Sequence, residues 1–169
     1  MGEMVRTKAS VLKSEEGEAY WFLDSLVTVK VSGAQTSGRL TILDFLNPPG
    51  FSPPTHRHLV EDEVFYVISG SAIFYCDGET FEVWPGDTVF LPVGSTHSFR
   101  ASDSEPFRTL QITVPSGFEE FTAEAGTPAV THSLPAPGPI DFAAVGQAAA
   151  RHNIEILGPP PARTARAAT

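Results

Sequence analysis

The chain has 169 residues, 14 Gly and 15 Pro among them, so about one position in six is a turn-maker, too many for a helical bundle. Twelve Phe, three Tyr and two Trp against two Met suit pleated surfaces better than helices, and the length fits one all-β domain with a full core. Eleven basic residues against twenty acidic ones, a net charge of -9, argue against nucleic acid as a partner, and one cysteine, Cys76, excludes an internal disulfide.

Residues 1–17 are polar and read as a flexible arm, with no signal-peptide stretch. Tyr20 to Val31 reads as a strand, Gly33 to Gly38 as a turn, and Arg39 to Leu46 as a strand stopped by Asn47-Pro48-Pro49-Gly50. Short strands follow at Glu63 to Ser69, Ser71 to Cys76, Thr80 to Trp84, Thr88 to Leu91, Thr96 to Ala101 and Pro106 to Val114. Asp77-Gly78 between two of them is a hairpin signal. This rhythm predicts a sandwich or small barrel. Beyond Pro115, Ser116 to Ala125 reads as a helix capped by Ser116 with Glu119 completing a capping box. A second helix runs from Asp141 to Asn153, capped by Asp141, and Ile154 to Leu157 reads as a last strand or apolar clasp. No apolar run approaches the roughly 20 residues of a membrane span. The expectation is a soluble, cytoplasmic protein with no membrane partner.

Two stretches carry chemistry. From Gly50 to Gly70 the sequence is GFSPPTHRHLVEDEVFYVISG, and from Gly86 to His97 it is GDTVFLPVGSTH. His56 and His58 are two apart, so both imidazoles share one face of an extended segment. Glu63 heads the next strand, and the turn Pro92-Val93-Gly94 leads into His97. Three imidazoles and one carboxylate can meet at one point. An N3O set suits Fe, Mn, Co, Ni, Cu or Zn, and four protein ligands leave positions open.

Position by position, the first stretch resembles the first motif of the cupin superfamily: Gly50, five residues, His56-x-His58, four residues, Glu63, six residues, Gly70. The second resembles its second motif: Gly86, five residues, Pro92-x-Gly94, two residues, His97. Ala101 stands where that motif often ends in Asn. The resemblance implies a double-stranded β-helix, the jelly-roll barrel, over residues 18–115. A helical extension, 116–157, packs on it, and residues 158–169 form a disordered tail. It also implies one divalent transition metal on His56, His58, Glu63 and His97.

The residues near the motifs divide by parity. Glu61 reads as a solvated loop residue, with support of a ligand from behind as the alternative, and His132 and His152 read as surface or cap residues. Cys76 reads as packing. Phe65 and Val67 share the phase of Glu63, and Phe99 that of His97; with Phe45 and Gln111, and with Trp21 and Phe90 as further candidates, they suggest a pocket for an apolar or aromatic small molecule. Arg57 and Arg100 are out of phase, which disfavours a sugar phosphate. The layout also resembles quercetin 2,3-dioxygenase-like cupins. That implies dioxygen cleavage of an aromatic, phenolic or enediol substrate, with Glu63 doubling as catalytic base. A non-redox isomerase, lyase or polyketide cyclase, and a non-catalytic small-molecule binder, are the alternatives. A homodimer is expected, with the segment near Ser10 to Leu12 adding a strand to a partner.

Overall fold

A computed structural model of the chain describes residues 8–162; residues 1–7 of the expected arm and 163–169 of the expected tail lie outside the described residues. The strand expected from Tyr20 to Val31 is two strands, β1 (Ala19–Phe22) and β2 (Ser25–Val31). They are joined at Leu23 and Asp24, whose φ values are 49° and 66°. Two central residues with positive φ make a tight hairpin, but neither is Gly or Asn, so no turn signal marks it. The expected turn after Val31 is a short helix, α1 (Gly33–Thr36), capped by Ser32.

Then come β3 (Thr41–Asn47), β4 (Thr55–His58), β5 (Asp62–Ser69), β6 (Ala72–Cys76), β7 (Glu79–Val83), β8 (Thr88–Leu91), β9 (His97–Ala101) and β10 (Phe107–Val114). Asp77 and Gly78 form the hairpin their dipeptide signals, with φ 49° and 87°.

Helix α2 (Phe118–Ala125) starts later than expected, with Gly117 rather than Ser116 at the N-cap and no capping side chain. The backbone turns at φ 143° on Gly117, a conformation open to glycine. Glu119 is drawn outward instead of closing a capping box. It accepts from the backbone N–H of Gly33 at 2.6 Å and of Gly117 at 2.9 Å, and from the Thr41 hydroxyl. A two-residue strand, β11 (Thr127–Pro128), pairs with β1. Helix α3 (Phe142–Arg151) begins at Asp141, whose carboxylate accepts from Ala144 N–H at 3.0 Å, and β12 (Ile154–Gly158) follows.

A seven-stranded sheet, β11-β1-β2-β3-β10-β5-β8, faces a five-stranded one, β12-β4-β9-β6-β7. This is the jelly-roll arrangement. Inward residues build two apolar clusters. Phe65, Phe74, Phe99 and Phe107 fill one end of the barrel, and Ala101, in the position often held by Asn, packs with them. Phe22, Phe45, Phe118, Phe121, Val145 and Ile154 tie α2, α3 and β12 to the large sheet. Each such phenyl ring contributes about 1.5–3 kcal/mol by leaving water.

Residues 10–12 form no strand within the chain. The turn after them is held by the Lys30 ammonium, which donates to the carbonyls of Lys13, Ser14 and Glu16 at 2.8–2.9 Å. Among the described residues no helix is long and apolar enough to cross a membrane.

Candidate metal centre

His56 and His58 sit on β4 and His97 opens β9, directly opposite His56 in register, so all three imidazoles come from the five-stranded sheet. Glu63 stands on β5 of the other sheet and reaches them across the barrel interior. The turn before β9 is fixed to both: Gly94 N–H donates to His58 C=O at 2.8 Å, and Val93 N–H to the Asp62 carboxylate at 2.8 Å. The four ligand atoms lie within 4.8 Å of one another.

The outer ring nitrogens decide which atoms face inward. His56 Nδ1 donates to Pro54 C=O at 2.7 Å, His97 Nδ1 to Ser95 C=O at 3.0 Å, and His58 Nδ1 to the Glu61 carboxylate at 2.6 Å. Each ring is anchored through Nδ1, so Nε2 is the atom each turns toward the interior. His97 Nε2 stands 2.8 Å and His58 Nε2 3.4 Å from Glu63 Oε2. Yet His58 Nε2 and Glu63 Oε2 are buried without a hydrogen-bond partner. Imidazole nitrogens and a carboxylate oxygen gathered this closely in a buried site are what a cation satisfies. The donor set therefore fits a transition metal.

The electrostatics of His56 and Glu63 suit metal binding. Burial, helped by His97, pushes the His56 imidazolium down to about 3, so this ring stays neutral and able to bind metal. Burial alone would raise the Glu63 carboxyl, but His58, His97 and His56 outweigh it and hold the group at about 2. At His58 burial acts downward, but Glu63 and Glu61 together lift it above its usual value. The other oxygen of Glu63, Oε1, accepts from Gln111 Nε2 at 2.6 Å, which leaves Oε2 as the inward ligand atom.

Glu61 corrects the sequence reading. It is 3% exposed, not solvated, because the chain folds back over residues 59–61 and brings its carboxylate to His58. Phe118 of α2 packs on the other side, 5.2 Å from the His58 ring. The carboxylate three residues beyond the second histidine was the available signal.

A cavity of about 60 Å³ opens from the cluster between the sheets. Phe45, Phe65, Phe99 and Gln111 line it, together with Phe118, Phe121 and Ile156 from the extension. Val67 has the right phase but lies deeper, among the core residues Val83 and Leu91. Phe90 points outward, 60% exposed, because Val89 and Leu91 hold the inward positions of β8. Trp21 also turns away, its indole N–H donating to Ser133 C=O at 2.9 Å. No Lys or Arg lines the cavity among the described residues; Arg57 pairs with Glu155 and Arg100 with Asp103. His132 is exposed, whereas His152 caps α3 and meets Glu124 at 2.6 Å. Cys76 is a free, partly buried thiol packed against the barrel core.

Known proteins resemble this chain. The cupin domain model matches residues 45–113. Quercetin 2,3-dioxygenase of Bacillus subtilis is 30% identical over 125 residues, 74% of this chain but 37% of that protein. The dimethylsulfoniopropionate lyase DddQ of Ruegeria pomeroyi is 36% identical over 66 residues, 38% of this chain and 32% of that one. The chain thus spans about a third of the length of each of these two. A predicted oxalate decarboxylase from Thermotoga maritima superposes with a TM-score of 0.57 at 20% identity, covering 63% of this chain and 99% of that one. That likeness is one of fold. With two facing sheets, the two ligand-bearing motifs and a matching domain model, the chain belongs to the cupin superfamily.

Proposed function

We propose that the chain is a metal-dependent cupin enzyme, a dioxygenase acting on an aromatic, phenolic or enediol small molecule. The observation that carries this reading is the set of three Nδ1-anchored imidazoles and one Gln111-anchored carboxylate, opening into an apolar cavity that no Lys or Arg lines among the described residues. A divalent Fe, Mn, Ni, Co, Cu or Zn ion on His56, His58, Glu63 and His97 would supply Lewis acidity or, for a redox metal, dioxygen chemistry. The chain's own groups do the rest. Phe45, Phe65 and Phe99 exclude water and flank a flat apolar body. Glu63 accepts the substrate proton at a carboxylate oxygen. The free thiol of Cys76 and the anionic surface fit a reducing, cytoplasmic setting. A homodimer with the segment at residues 10–12 as an added strand completes the reading; a monomer by light scattering overturns that part.

The decisive experiment is elemental analysis of the isolated protein, followed by oxygen-electrode assays of the metal-loaded protein with flavonols, catechols and β-diketones. Oxygen uptake lost in His56→Ala/His58→Ala supports the proposal, and no uptake with any of them sinks it. The similarity to a lyase favours one second reading, non-redox metal catalysis. Unchanged turnover without oxygen, with zinc bound, would establish that reading instead.

A further inference from the structure

Six polar residues line the cavity: Asn47, His56, Glu63, His97, Thr109 and Gln111. Five have protein partners. The imidazoles and Glu63 are held as described, Gln111 bonds Glu63, and Asn47 is consumed by the framework. Its Oδ1 accepts from the Ser25 hydroxyl at 2.9 Å and its Nδ2 donates to Phe107 C=O at 3.1 Å. The Thr109 hydroxyl, by contrast, is buried with no partner, on a residue 1% exposed. A buried hydroxyl left unpaired is a standing cost to the fold. The β10–β5 ladder also shifts register between Arg108 and Thr109, an irregularity of the kind that re-aims a side chain beside a site.

We infer that Thr109 is a second recognition point, a hydrogen-bonding subsite for the far end of the ligand bound at the metal centre. The inference rests on the proposed metal-centred function and adds the shape of the ligand. Thr109 lies two residues before Gln111 on the inward face of β10, about 7 Å along the strand at roughly 3.4 Å per residue. The ligand's chelating oxygens and its far hydroxyl or carbonyl are therefore about one ring length apart, and seating it requires the cavity, about 60 Å³ when empty, to widen. An anionic far end is disfavoured, since no Lys or Arg lines the cavity among the described residues.

The test uses the cobalt(II)-loaded protein under nitrogen and two probes of equal size, 4-(hydroxymethyl)catechol and 4-ethylcatechol, titrated by visible absorption. Wild type is expected to favour the hydroxymethyl compound about tenfold. Thr109→Val should erase the preference, bind the ethyl compound at least as tightly, and leave the metal-free protein as stable as wild type or more so. Thr109→Ser, which keeps the hydroxyl, should keep the preference. A preference surviving in Thr109→Val overturns the inference, and so does a loss of stability in that variant with the preference intact, the mark of a structural threonine. Wild type binding neither probe, or His56→Ala binding both unchanged, overturns the metal-centre reading itself and is told apart by that pattern.

Discussion

The two ends of the barrel interior lie between the same sheets and are built by the same strands, yet one is dry and apolar and the other gathers charge. Along β5 the inward series runs Glu63, Phe65, Val67; along β9 it runs His97, Phe99, Ala101; along β10, read backwards, it runs Gln111, Thr109, Phe107. Each strand passes from polar to apolar over about three inward positions. Alternation decides which face a side chain takes, and depth decides whether it serves binding or packing.

The apolar end should carry the fold. Phe107→Ala, which empties the centre of the Phe65, Phe74 and Phe99 group, is expected to cost about 3–5 kcal/mol in denaturant unfolding, with the remaining folded protein still binding metal. If metal affinity in the folded fraction fell as well, the two ends would not be separable. The polar end should carry the ion: Glu61→Ala is expected to lower metal affinity about 10–100-fold in a chelator competition, with Glu61→Gln, which still offers His58 an acceptor, falling between. Equal affinity in all three proteins would remove Glu61 from the centre.

Smaller effects sharpen the boundary with the extension. Asp141→Ala should cost about 1 kcal/mol by thermal unfolding, as loss of one helix cap does, and leave metal affinity unchanged. The smallest effect concerns acid. Burial alone would raise the Glu119 carboxyl, but bonds from Thr41, Gly33 and Gly117 hold it below its usual 4.5. A depressed carboxylate contributes stability that is present above its unfolded value and lost as pH falls through the folded one. Glu119→Gln should therefore flatten the stability profile below pH 4.5 and leave it unchanged in shape above. A profile identical to wild type in acid would show that this contact contributes nothing.

The metal cluster was legible because ligand spacing leaves few alternatives once β4 and β5 are extended. Asp77-Gly78 marked its hairpin because only certain residues tolerate that backbone. Leu23 and Asp24 adopt a similar backbone through tertiary packing and give no local sign. Ser116 failed as a cap because Glu119 found better partners on α1 and β3, residues distant in sequence. Val67 and Phe90 show the limits of parity: one has the right phase at the wrong depth, the other the wrong phase in a strand too short to reveal it.

Strand β4, which bears two of the imidazoles, lies between β9 and β12, and its Arg57 side chain meets Glu155, 98 residues further along the chain. During synthesis that flank of β4 stays unpaired until the distant strand has emerged. Long-range pairing of this kind is slow to form. The metal-bearing strand is therefore braced on one flank by β9 and on the other by a strand about a hundred residues away, so a lesion in β12 reaches the centre through β4.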